Sequence, residues 1–220
     1  MSNNDPYLLG FLVSVFSLLL LFLNAVLFLT KVKTFKNKIY TIVACYLTGL
    51  FVVEFFCNLI GYANPGNNLF LSHFYFNAQF LLLSLVFYRL FKDKKAKNIV
   101  LISSSLVFVL IIFSYIKKPE LFWEFNLFEI VSTSLLLVIY ALRHLYKTLG
   151  EEKQYMYLMT GLIMYLICSC LIFLSGNYEL VFIEDPYIDI WIFNSIFYIV
   201  YQALIFTEWN YIRKKYKAGV

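Results

Sequence analysis

Seven runs of roughly 20 apolar residues, separated by short charged segments, dominate this chain and leave it few ways to fold. A run that long crosses the hydrocarbon core of a bilayer as a helix, because only a helix satisfies its own N–H and C=O groups where water is absent. The pattern predicts spans at 7–30, 39–62, 69–91, 98–116, 121–145, 155–175 and 187–210. The 220 residues are 62% hydrophobic and only 14% charged, so little chain remains outside the spans. That balance excludes a cytoplasmic enzyme, a nucleic-acid module and a disulfide-stapled secreted fold. The expected architecture is all-α: a polytopic membrane protein in a lipid bilayer, with residues 1–220 forming one seven-transmembrane-helix bundle. The first run is expected to be a span, not a signal peptide, since Met1 to Tyr7 carries Asp5 and no basic residue.

Charge gives the chain a direction. Lysine and arginine follow the first run (Lys31, Lys33, Lys36, Lys38), the third (Arg89, Lys92, Lys94, Lys95, Lys97), the fifth (Arg143, Lys147, Lys153) and the seventh (Arg213, Lys214, Lys215, Lys217). Of the 18 basic residues only Lys117 and Lys118 lie on the other side. The positive-inside rule therefore predicts an outside N-terminus and a cytoplasmic C-terminus. Glu179, Glu184, Asp185 and Asp189 gather in one outer loop and agree with that orientation. Pro6, Pro65, Pro119 and Pro186 each precede an outside-to-inside run, where a missing N–H costs nothing, and none interrupts a span. Uninterrupted helices lower the expectation of a transporter built on broken helices.

Within the spans the polar residues fall into one layer. At about 1.5 Å per residue, Glu54 and Asn58, His73 and Asn77, Asn126 and Glu129, and Asn194 and Tyr198 lie roughly 5 to 17 Å below the outer surface. Each set recurs at helical spacing, with Thr133 continuing the Asn126/Glu129 stripe and Tyr201 and Gln202 continuing the last. The economical packing turns these stripes inward around an outward-facing polar cavity, with Glu54, Asn58, His73, Asn77, Asn126, Glu129, Asn194, Tyr198 and Gln202 as candidate ligand-binding residues. An ionisable side chain in hydrocarbon is costly enough to mark function, whereas amides and hydroxyls also serve simply to join helices. Helix 4 shows little beyond Ser103, Ser104 and Ser105 and reads as peripheral and lipid-facing. His144 reads as a solvated headgroup contact, Glu208 as a partner of the basic tail, and Tyr75, Trp123, Trp191, Trp209 and Tyr211 as interfacial anchors.

No cofactor or metal is expected. Cys45, Cys57, Cys168 and Cys170 show no C-x-x-C spacing and read as packing residues, and His73 and His144 stand at opposite faces. There is no H-E-x-x-H, no G-x-S-x-G and no pair of membrane aspartates, and the last span lacks a lysine for a retinal Schiff base. The chain also lacks the Ser, Asp and multiple-His zinc set of membrane lipid hydrolases.

The segments Asn67-Asn68-Leu69-Phe70-Leu71-Ser72-His73-Phe74-Tyr75-Phe76, Phe125-Asn126-Leu127-Phe128-Glu129-Ile130 and Tyr198-Ile199-Val200-Tyr201-Gln202 resemble a group of seven-helix inner-membrane proteins of Bacteroidota-type bacteria. The resemblance implies a bacterial inner (plasma) membrane location and carries no activity. The expected function is a non-enzymatic sensor or receptor-like module that binds a small-molecule ligand and signals through a separate membrane or cytoplasmic partner. A small proton-coupled transporter, a lipid-modifying enzyme and a structural subunit are the alternatives.

Overall fold

A computed structural model of the chain describes residues 6–63, 68–149, 155–177 and 190–218. Asp5, Pro65, Asn67, Lys153, Glu179, Glu184, Asp185, Pro186, Asp189 and the side chain of Trp191 lie outside them. The regular structure among the described residues is all helical: α1 (Pro6–Phe35), α2 (Lys38–Ala63), α3 (Phe70–Leu90), α4 (Lys94–Lys117), a short 3-10 helix (Pro119–Trp123), α5 (Leu127–Thr148), α6 (Met156–Asn177) and α7 (Ile190–Lys217). The helices α1 to α6 are each long and apolar enough to cross a membrane. The last, α7, is 28 residues long and ends in Lys214, Lys215 and Lys217.

Local chemistry sets the helix ends. Lys36 takes a positive φ of 48° after α1, and Asn37 then caps α2, its Oδ1 accepting the N–H of Ile39 at 2.8 Å. Asp93 caps α4 through the N–H groups of Lys95 and Ala96, so that helix begins at Lys94 instead of 98. Helix 5, expected from 121, begins only at Leu127. Pro119 opens a separate 3-10 turn, and Asn126, expected inside the span, is the residue before the first turn, its Oδ1 accepting the N–H of Glu129 at 3.3 Å.

Six helices form a closed ring in the order α1, α2, α3, α5, α6, α7, with α7 packed back against α1. The fourth helix stands outside the ring against α3 and α5. Its outer side exposes Leu101, Ile102, Leu106, Val109, Phe113 and Ile116, as a lipid-facing element does. Its serines are not idle, however: Ser103 and Ser104 bond the hydroxyl of Tyr140 on α5, and Ser104 bonds Ser84 on α3. The ring core is apolar and aromatic, with Leu47, Leu50, Phe80, Leu83, Leu162 and Ile205 fully buried. On α6, Gly161 lets α7 approach closely; a Cβ there would lie 2.8 Å from the Tyr201 ring and 3.1 Å from Leu204. The odd-numbered helices start at one end of the ring, here the N-face, and finish at the other, the C-face.

Candidate functional site

The expected single polar layer is divided in the structure. One part is a sealed cluster joining α3, α4 and α5. Capping by Asn126 fixes Glu129 in the first turn of α5, and Thr133 steadies that turn by donating to the carbonyl of Glu129 at 2.7 Å. Its fully buried carboxylate meets Nδ1 of His73 at 2.8 Å and accepts from the amide of Asn77. The hydroxyl of Tyr115 on α4 donates to the same carboxylate and lies 2.7 Å from Nδ1 of His73. Phe122 of the 3-10 turn stacks on the His73 ring at 5.6 Å. Three donors on one carboxylate are what a buried carboxyl requires, so this arrangement is self-sufficient as a helix clamp. The imidazole Nε2 and the Asn77 Oδ1 have no partner among the described residues.

The second part surrounds Glu54. Two adjoining cavities at the N-face share Glu54 and Cys57 in their walls. The inner one, about 170 Å³, lies on the ring axis among Tyr75, Phe76, Phe125, Tyr165, Phe173 and Asn194. The other, about 420 Å³, lies between α1 and α2 beside Ser14, Asn58, Gly61 and Asn68, with exposed Phe11 and Tyr62 at its rim. Unlike Glu129, the Glu54 carboxylate makes no hydrogen bond to any described residue. Its neighbours are otherwise engaged. Asn58 accepts from Ser14 at 3.0 Å and donates to the backbone of Glu54 at 2.9 Å, while Asn68 donates to the carbonyl and thiol of Cys57. The Oδ1 of Asn194 is buried and has no partner among the described residues.

Below the inner cavity the axis is filled by hydroxyls and rings. Tyr75 and Tyr165 pair through their hydroxyls at 3.3 Å, Tyr46 and Tyr201 at 3.1 Å, and Gln79 donates to Tyr46 at 3.2 Å. The Tyr165 ring stacks on Tyr201 and also packs against Tyr198. Gln202 belongs to this deeper level, accepting both its bonds from Asn24 on α1 at 2.9 Å.

Several single-residue expectations need correction. Tyr75 is not an interfacial anchor but a buried axial residue. Trp209 is buried as well, donating to the carbonyl of Leu27 at 3.1 Å beneath the Arg213 guanidinium. His144 is buried between helices instead of solvated. Glu208 does not pair with the basic tail; its buried carboxylate accepts the backbone N–H groups of Tyr155, Tyr157 and Leu158 at the start of α6. Tyr115, Tyr46, Tyr165, Gln79 and Asn24 escaped the sequence reading, because with 18 tyrosines in the chain nothing separates an axial hydroxyl from an interfacial ring. Asn24 did carry a signal, a lone amide within a long apolar run, whereas Gln79 stands two residues from Asn77 on a different side of the same helix.

No family model, curated protein or solved structure matches this chain.

Proposed function

We propose that the protein is a receptor-like module of seven membrane spans, with its N-face outside, that holds a small ligand at Glu54. The observation that carries this reading is the contrast between two membrane carboxyls. Glu129 is saturated by its neighbours and acts as a clamp, whereas Glu54 lines two cavities and makes no hydrogen bond to any described residue. A polar group left open at a cavity costs stability that a bound ligand recovers. The arrangement of basic residues along the chain supports the orientation, and the resemblance supports an inner-membrane location in a bacterium.

The packed axis favours a receptor over a carrier. Tyr46, Tyr201, Leu47 and Ile205 are completely buried between the two faces, so side chains fill the axis below the Glu54 cavities. An acid–base enzyme is disfavoured because the His73 and Glu129 pair is closed beneath Phe122. Ligand occupancy reaches a partner through the bundle itself, since the connections between helices are short; the basic C-face is where a cytoplasmic partner docks.

Native mass spectrometry of protein purified from its own membranes in mild detergent tests the reading. The wild-type and Glu129→Gln proteins are expected to retain a small molecule that Glu54→Gln loses. Retention by Glu54→Gln equal to wild type defeats the assignment.

A further inference from the structure

We infer that the Glu54 cavities are built for a compact organic ammonium; this rests on the reading of Glu54 as the ligand site and names its ligand class. The inner cavity is lined by Glu54, whose carboxylate makes no hydrogen bond to any described residue, by Asn194 and by five aromatic residues. Aromatic faces and carboxylates both attract a cation, and the open carboxylate additionally suits N–H donors. The other polar walls offer few donors. Ser72 gives its proton to the carbonyl of Leu69, and Tyr75 and Tyr165 bond one another. No lysine, arginine or histidine lines either cavity among the described residues, so nothing there neutralises Glu54 or attracts an anion. The inner cavity, at about 170 Å³, is below the roughly 300 Å³ at which drug-sized ligands begin, so the ammonium group it takes is compact, while the adjoining volume of about 420 Å³ leaves room for the rest of the ligand.

Cys57 lines both cavities and reports their charge preference without any knowledge of the natural ligand. In a protein whose other cysteines are replaced (Cys45→Ala, Cys168→Ala, Cys170→Ala), the Cys57 thiol is reacted with a trimethylammonium-bearing methanethiosulfonate and with its sulfonate-bearing counterpart. Each rate, followed by intact mass, is normalised to that of a free thiol. The cationic reagent is expected to react faster by on the order of tenfold, the effect of one carboxylate a few ångströms away. Glu54→Gln is expected to bring the ratio to about one; because the ratio is read, a change in thiol reactivity common to both reagents cancels. Butylammonium chloride is expected to slow the wild-type reaction where sodium chloride of equal ionic strength does not. Equal rates for both reagents, unchanged by Glu54→Gln, overturn the ammonium assignment while leaving an accessible cavity. Failure of both reagents to reach Cys57 overturns the cavity reading and the assignment with it.

Discussion

The carboxylate of Glu208 on α7 lies across the first turn of α6 and accepts the backbone N–H of Tyr157 at 2.9 Å. The N–H groups of Tyr155 at 3.0 Å and Leu158 at 3.4 Å complete the contact, and Tyr155 adopts a positive φ of 58° to reach it. A helix start exposes unpaired N–H groups and a partial positive charge, and here a residue from another helix satisfies both. Glu208→Ala is expected to lower stability by about 1–3 kcal/mol, the range for a lost cap and lost charged hydrogen bonds. Glu208→Gln, which keeps one acceptor oxygen, is expected to lose less. Thermal melts in detergent check both; an unshifted alanine variant refutes the cap.

The two membrane carboxyls are expected to behave oppositely on neutralisation in ligand-free protein. Glu54→Gln removes no hydrogen bond to the described residues and leaves the melting temperature equal or higher, as at binding sites that hold unfavourable polarity in reserve. Glu129→Gln disrupts a buried pair with His73 and costs about 2 kcal/mol or more. Equal losses in the two variants contradict the division between clamp and site.

Tyr115 fastens α4 to the ring through His73 and Glu129. Tyr115→Phe and Glu129→Gln are therefore expected to be non-additive, with a coupling of about 0.5–3 kcal/mol in a double-mutant cycle. Additive losses place Tyr115 outside the cluster. Hydrogen exchange along α4 is expected to rise in Tyr115→Phe.

Gly161 and Gly49 make a contrasting pair. An added methyl at Gly161 meets the Tyr201 ring, which is fully buried, so Gly161→Ala is expected to destabilise by about 1–3 kcal/mol. At Gly49 the nearest atom is Leu82 Cδ1 at 3.9 Å, so Gly49→Ala is expected to gain up to about 1 kcal/mol of helix propensity. The two melts, measured side by side, report the close approach of α6 and α7; an unshifted Gly161→Ala protein refutes it.

The start of α4 is expected to respond to acid. The N–H of Lys95, and after it that of Ala96 with Lys147 and Arg143 nearby, holds the Asp93 carboxyl below its ordinary value. A folded-state value lower than the unfolded one means the contribution is fully present above the unfolded value. It is lost as pH falls through the lowered folded value. Amide exchange at Lys95 and Ala96, corrected for its intrinsic pH dependence, is expected to show the capped turn opening as the pH is lowered, and Asp93→Asn is expected to flatten that response.

Much of the architecture was legible because hydrocarbon solvent imposes one rule on every segment. Runs such as 7–30 and 98–116 had to be helices, and the exposed apolar side of helix 4 followed from its lack of polar stripes. The candidate site was legible by residue type only. Asn58, Asn194 and Glu54 do surround the N-face cavities, while Asn77, Asn126 and Glu129 belong to the clamp and Gln202 to the axis. Periodicity places a residue on a helix face; it does not say whether the facing helix supplies a partner.

By itself the sequence determined that the chain is helical and suited to a bilayer, and which positions carry charge in an apolar environment. Those properties depend on composition and on spacing along one helix. Only the tertiary structure decided which charge is satisfied. The ring order brings His73, Asn77 and Tyr115 onto Glu129, and Glu208 onto α6, but leaves Glu54 facing open volume, because hydrogen bonding between helices depends on contacts that no single helix encodes.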